Sequence, residues 1–360
     1  MPSPTLFNRL SDAWNYKAPV LVSVPYFFAL LGQMPVQQTI AAMFASYTTI
    51  IGIAAFGYFI NDLTDIRQDA LAQKPNSVAR LSPMQRVVIL VIILLVALLP
   101  WLYLPLTTLT APFLLAQFLL FLAYSLPPMR LKERKQAGIL TDALYAHVNP
   151  ALLAALTFTL IIRQPLSSLV GYMAGLVTWQ LLWGIRNILQ HQLEDLENDI
   201  AAGVKTYAQS ANTNKLRHTI THRLLPAELL AFALFLVHVT LQVLHTNGLI
   251  LFIAFAIFQY AALYFAKQLP SSTPEKATLF ATLLYLVWLP FTLLLTAVIR
   301  DAQYLVLLAL HLLLFGQMRI QLLSPFLFFV QYLYNEVPLP RYTLNEMVSE
   351  LKQKKIRGKK

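Results

Sequence analysis

The chain has 360 residues, of which 58% are hydrophobic and only 12% charged, and its mean hydropathy is +0.60. That charge share is half the roughly 25% of a soluble domain, which excludes soluble globular, disordered and secreted disulfide-bonded classes. There is no cysteine, so disulfides, thiolate metal sites and cysteine nucleophiles are excluded too. The net charge of +11 suits the basic cytoplasmic loops of a polytopic membrane protein, not a nucleic-acid partner. The long unbroken apolar runs argue against a transmembrane β-barrel.

In chain order, apolar runs predict ten spans, at roughly 18–34, 40–60, 86–105, 108–126, 141–162, 167–188, 224–244, 247–266, 277–299 and 302–322. The first starts late, contains Pro19 and Pro25 and is followed by further spans, so it does not read as a cleaved signal peptide. Long polar connections alternate with very short ones. The long side holds 25 of the 27 Lys and Arg residues, with Arg186 counted among them, and the short side only Arg163 and Arg300. Both termini and all long loops are therefore expected on the cytoplasmic side. The basic run Lys352–Lys360 is expected to touch anionic membrane lipid.

Acids are scarce and unevenly placed. Five of the eight Asp residues fall in two stretches, Asn61–Asp69 after the second span and His191–Asp199 after the sixth. Both are expected to continue the preceding helix. On a helix Asp62, Asp65 and Asp69 share a face at i, i+3 and i+7; Asp195 and Asp199 share one at i, i+4, with His191 a turn earlier. Like charges at these spacings repel. Divalent cations are the simplest relief, and carboxylate-only ligation points to Mg²⁺, with Mn²⁺ the substitute. Mg²⁺ usually shares its shell with substrate phosphates. Arg67, Lys74, Arg130, Lys132 and Lys205 lie near these stretches and are candidates for the remaining phosphate oxygens. The two stripes are 133 residues apart, at the ends of the second helix of spans 1–4 and of spans 5–8. Such a repeat would set them face to face across a central cavity. Inside the spans, Asp142, His147 and Asn149 gather near the start of span five, Arg186 and Asn187 sit one turn above His191, and Glu228, His238 and His311 occur farther on. Intramembrane polar residues are costly, so each is a candidate contact for an acceptor head group or a helix–helix hydrogen bond.

These residues resemble the UbiA superfamily of intramembrane prenyltransferases. That family's first motif, Asn-Asp-x-x-Asp-x-x-x-Asp, fits Asn61 to Asp69 at every fixed position. Its second commonly ends Asp-x-Glu-x-Asp-x-x-x-Gly-x-x-Thr and is met by Asp195, Glu197, Asp199, Gly203 and Thr206. The stretch Tyr124 to Lys132 is similar to the family's loop after span four. The resemblance covers about residues 15–300 and implies an all-α bundle of nine transmembrane helices around a central cavity, roofed by cytoplasmic loops. Residues 1–300 would form two four-helix halves plus one helix; 301–360 would add an apolar segment, read as a tenth span, and the basic tail. Mg²⁺ would bridge Asp62, Asp65, Asp69, Asp195 and Asp199 to an isoprenyl diphosphate. Asn61, Arg67, Lys74, Arg130, Lys132, His147, Asn187, His191 and Lys205 would bind substrate. The reaction implied is prenyl transfer to a lipophilic, often aromatic acceptor. Rival readings are an intramembrane terpene cyclase, phosphoribosyl transfer to a polyprenyl phosphate, and a lipid-phosphate transporter. The chain departs from the family at His191-Gln192, where many members carry a further Asp or Asn, and in the apolar extension around Leu305–Phe329.

Overall fold

The computed structural model describes residues 14, 18–71, 75–201, 206–265 and 274–334, and these are helical with no strand among them. The main helices are α1 (Ala18–Leu31), α2 (Val36–Leu71), α3 (Pro83–Leu98), α4 (Ala111–Ser125), α5 (Lys135–Ile161) and α6 (Leu166–Glu194). They are followed by α7 (213–244), α8 (His245–Phe265), α9 (274–300), α10 (Leu305–Leu314) and α11 (Gly316–Tyr334). Six helical runs among the described residues are long and apolar enough to cross a membrane, fewer than the ten stretches expected. The difference has particular causes. Helices α1 and α4 are apolar but only 14 and 15 residues long. Helices α7 and α8 form one helical run of 52 residues. The last expected span, 302–322, is bent by 85° into two pieces.

The 52-residue run is two passes, not one rod. Phe232 of α7 and Phe252 of α8 lie with ring centroids 5.9 Å apart, whereas 20 residues of straight helix would separate them by about 30 Å. The reversal falls at His245, whose φ of 53° is left-handed.

Proline shapes the spans from within. Residues Leu144–Val148, Ile220–Leu224 and Leu284–Trp288 form π-turns, each followed one residue later by Pro150, Pro226 or Pro290. A proline lacks an N–H and its ring crowds the carbonyl four residues back. The wider turn moves that carbonyl away, and the preceding residue bonds five residues back instead, as Asn149 N–H does to Leu144 O. The π-turn of α5 carries Tyr145 and His147.

Glycine sets the closest helix approaches. A Cβ on Gly52 of α2 would lie 2.4 Å from the Ala97 backbone nitrogen of α3, and one on Gly184 of α6 would lie 2.9 Å from the Ala143 Cα of α5. Small residues at contacts are how membrane helices gain van der Waals packing without a hydrophobic drive. The outer face of α3 presents Val87, Val88, Val91, Ile92, Leu95 and Leu98 outward, as lipid contact requires.

Packing also fixes which ends lie together. The loop after α4 reaches the end of α2, where Lys132 bonds Asp65. Gly138 packs on Leu131 and Lys132, and Ile139 joins Ile188, Leu189 and Leu193 in one core cluster. The ends of α2 and α6, with both acidic motifs, therefore lie at the same end of the bundle.

Candidate active site

The first motif continues α2 as expected, to Leu71. Asp62 is buried, and its Oδ2 accepts from Ser77 Oγ at 2.8 Å. Asn76 Nδ2 donates both to the Asp62 carbonyl at 2.7 Å and to Asp69 Oδ2 at 2.8 Å. The Asn76 side-chain oxygen accepts from the Val78 and Ala79 amides, which folds the loop onto the helix as an Asx turn. Asp62 and Asp69 are thus tied to one loop.

Asp65 faces the loop after α4. Lys132 Nζ donates to its two oxygens at 2.6 and 2.5 Å and to Asn61 Oδ1 at 2.9 Å. Arg130 adds a bond to Asp65 at 2.9 Å, one to Glu133 at 2.5 Å and one to the Ser125 carbonyl at 3.3 Å. Ser125 Oγ in turn donates to Asn61 at 3.5 Å. Arg130 takes this position in the left-handed region, φ 37°, a conformation that a non-glycine residue adopts only under strain. Burial pulls the Lys132 ammonium below its ordinary value, and the charge of Asp65 offsets this only in part. For Arg130 burial acts the same way, but hydrogen bonds and charge from Glu133 and Asp65 outweigh it and raise the value.

The repulsion within the first stripe is therefore relieved by the chain's own cations and donors. Arg67 stands apart: it is exposed, two positions from both Asp65 and Asp69 and so across the helix from them. Lys74 and Lys205 lie outside the described residues.

The second motif departs from a continuous helix. The helix ends at Glu194; Asp195 has φ −91° and ψ 3°, and a separate short helix runs Leu196–Ala201. Four acids in six positions sit here at the negative end of the helix dipole, and this opposes continuation. His191 and Asp195 do share a face, 3.5 Å apart, with His191 exposed and Asp195 partly so. Gln192 turns inward and accepts from the Ala208 amide at 3.3 Å. The side chain of Asp199 lies outside the described residues. Asn187 is half-buried. His147 is buried, its ring edge-on to Trp183 at 4.8 Å.

Deeper in the bundle, one group of polar side chains is joined by hydrogen bonds. Tyr145 donates to Asp142. Gln117 links the Tyr145 carbonyl at 2.7 Å to Asn149 at 2.6 Å. Phe121 and Tyr124 pack on the Tyr145 ring at 4.3 and 5.1 Å.

Among the described residues no three His, Asp or Glu groups converge tightly enough to hold a metal ion by themselves. The donor chemistry still fits Mg²⁺, because the first motif offers hard carboxylate oxygens and Mg²⁺ needs only one or two of them beside phosphate and water.

Sequence reading missed Ser77, whose only signal was its position beside a motif, and gave Ser125 no role of its own within the Tyr124–Lys132 stretch. It also missed the partner of Arg186, which was placed inside span six although its charge was counted with the cytoplasmic side: Arg186 is buried inside α6 and pairs with Glu228 of α7, at 2.6 and 3.0 Å. A partner 42 positions away leaves no local trace.

The family model described as the UbiA prenyltransferase family matches residues 18–287. No curated protein matches the chain. Among solved structures, a UbiA homolog from Archaeoglobus fulgidus bound to GPP and Mg²⁺ superposes with a TM-score of 0.52 at 17% identity, over 80% of this chain and 98% of that one. The same homolog bound to DMAPP and Mg²⁺ gives 0.51 at 16%, with coverage again of 80% and 98%. A structure concerning digeranylgeranylglyceryl phosphate synthase in membranes gives 0.52 at 16%, over 82% and 96%. At these identities the structural likeness speaks to the fold, while the family match spans most of the sequence: the chain belongs to the UbiA prenyltransferase family.

Proposed function

We propose that the chain is a Mg²⁺-dependent intramembrane prenyltransferase that moves an isoprenyl group from its diphosphate to a lipophilic acceptor. One observation carries this reading: Arg130 and Lys132 converge on Asp65 and Asn61, in an acidic motif at the same end of the bundle as the second motif. Cations and carboxylates held together in this way suit a diphosphate and its counter-ions. The A. fulgidus homolog of the same fold binds GPP or DMAPP with Mg²⁺, in keeping with such a donor. The basic loops argue that this end faces the cytoplasm.

In this reading Arg130 and Lys132 turn from Asp65 to the diphosphate oxygens when donor arrives, and Asp62, Asp65, Asp69, Asp195 and Asp199 hold Mg²⁺. Bound Mg²⁺ supplies charge neutralisation on the leaving diphosphate. The allylic C–O bond breaks with its electron pair leaving on the diphosphate. The acceptor then attacks the allylic carbon and loses a proton. The aromatic faces of Phe121, Tyr124 and Tyr145, packed together beneath Ser125, are suited to shield positive charge.

The test is incubation of purified protein with Mg²⁺ and GPP or DMAPP, with and without a panel of phenolic and lipid-alcohol acceptors, scoring diphosphate release and products. Acceptor-dependent release with a prenylated product is expected. Release with a cyclic hydrocarbon would replace transfer by cyclisation, and no release with any donor or acceptor would overturn the reading.

A further inference from the structure

The buried Arg186–Glu228 pair is outside both motifs, yet it is joined to one of them. Arg186 is 2% exposed and Glu228 fully buried, and the guanidinium meets the carboxylate through two parallel bonds. Arg186 lies nine residues before Asp195 on the same helix, about 13 Å along its axis. A charge at that depth is costly in a membrane protein and marks function by default.

The pair heads a ladder. Arg186 Nη1 donates to Gln190 Oε1 at 3.4 Å, and Gln190 Nε2 donates to Glu194 Oε1 at 3.2 Å. Gln190 Oε1 also accepts from Thr278 of α9 at 3.1 Å. Three successive turns of α6 are thus tied to one another, to α7 through Glu228 and to α9 through Thr278. The ladder ends at Glu194, where the helix stops and Asp195 begins the acidic turn. Ile188, Leu189 and Leu193 pack this end and Gln192 bonds the Ala208 amide, while His191 is exposed and Asp195 partly so; the ladder adds directional bonds to that packing.

We propose that Arg186, Glu228 and Gln190 are positioning residues for the second acidic motif: the ladder sets the height and rotation of α6 so that Asp195 is presented to the metal–diphosphate complex. The inference rests on the metal–diphosphate reading above. A buried ion pair is seldom a net source of stability, because a well-packed apolar pair of like volume does as well or better. Its use is to allow one register where apolar side chains would tolerate several.

That contrast supplies the test. Mn²⁺ binding to the full-length protein in lipid nanodiscs, in the presence of inorganic pyrophosphate, is followed by electron paramagnetic resonance. R186M/E228L removes the pair without leaving an uncompensated charge, and Q190L cuts the ladder while leaving the pair intact. Both are expected to unfold at or near the wild-type temperature yet to bind Mn²⁺ about tenfold more weakly, the usual effect of losing an outer partner of a metal site. Wild-type Mn²⁺ affinity in Q190L, and in R186M/E228L where it folds, would overturn the positioning role. If R186M/E228L does not fold, Q190L decides alone. Failure of the wild-type protein to bind Mn²⁺ with pyrophosphate would remove the metal reading itself and the inference with it, a result distinct from equal binding by wild type and variants.

Discussion

Lys132 gives the sharpest expectation. It is 13% exposed and donates to Asp65 and Asn61 in the described state. Replacing it with methionine keeps the stem and removes the charge. Arg130 still meets Asp65, so the loop keeps a counter-ion. In the proposed reaction Lys132 exchanges a carboxylate for a diphosphate oxygen, so only the difference between the two contacts enters the binding energy. Charge on that oxygen grows as the C–O bond breaks, and the loss therefore falls on kcat as well as KM. Taking the gain of the transition-state contact over the Asp65 contact as that of one charge-assisted hydrogen bond, about 2 kcal/mol, K132M should lower kcat/KM for GPP about 30-fold. The pH profile offers a second handle. Burial lowers the Lys132 value below the ordinary 10.5. As pH rises through the lowered value the ammonium is lost, and activity should fall along an alkaline limb that K132R removes, because arginine stays charged. The Lys132 contribution to stability runs the other way: between the lowered value and 10.5 the unfolded chain holds more protons, so this contribution rises with pH across that window. Loss of activity without loss of fold would thus identify titration and not unfolding. A K132M enzyme within about threefold of wild type in kcat/KM would refute the argument, being less than half the energy of one such bond.

Asp62→Asn and Asp195→Asn should each abolish turnover with expression unchanged, measured as diphosphate release; full activity in both would remove the metal role. N76A deletes donors to Asp62 and Asp69 and an acceptor for two amides. At roughly 1 kcal/mol for each bond it should raise amide hydrogen exchange across residues 76–79 by tenfold or more, and unchanged protection would contradict the tie. G184V places carbon 2.9 Å from the Ala143 Cα, so it should cost about 1–3 kcal/mol and lower the unfolding temperature; an unchanged unfolding temperature would contradict the close approach.

Much of the fold was legible because apolar runs and proline breaks are local signals. The reversal between α7 and α8 was marked by polar His245-Thr246-Asn247-Gly248 between two apolar stretches. The motifs were legible because a chain short of acids concentrates them. What escaped was decided by distant partners or by chain direction. The pairing of Arg186 escaped because Glu228 is on another helix. The second motif read as helix because spacing alone does not register the dipole end on which Asp195 falls. The break at Phe315 joins two segments that are each apolar, and hydropathy does not report the angle between them.

The first motif also carries a thermodynamic consequence. Its carboxylates and the cations proposed for the diphosphate are bonded to each other, with Lys132 and Arg130 on Asp65. Mg²⁺ alone would have to displace two cations from Asp65, and diphosphate alone would have to draw them off and leave Asp65 without a counter-charge. In the proposed function the two ligands together would exchange partners, with the carboxylates going to Mg²⁺ and Lys132 and Arg130 to the diphosphate, so that each would remove the obstacle to the other. Mg²⁺ and donor should therefore bind with positive coupling, and linkage requires the factor to be the same in both directions. Coupling of about 1–3 kcal/mol corresponds to a factor of roughly 5–150. Titration calorimetry of Mg²⁺ with and without inorganic pyrophosphate, and of pyrophosphate with and without Mg²⁺ after correction for their association in solution, measures both arms. The K132M/R130M variant should lose most of the coupling, because its Asp65 is already free for metal. Equal Mg²⁺ affinity in wild type with and without pyrophosphate would show that the Asp65 clamp does not oppose either ligand.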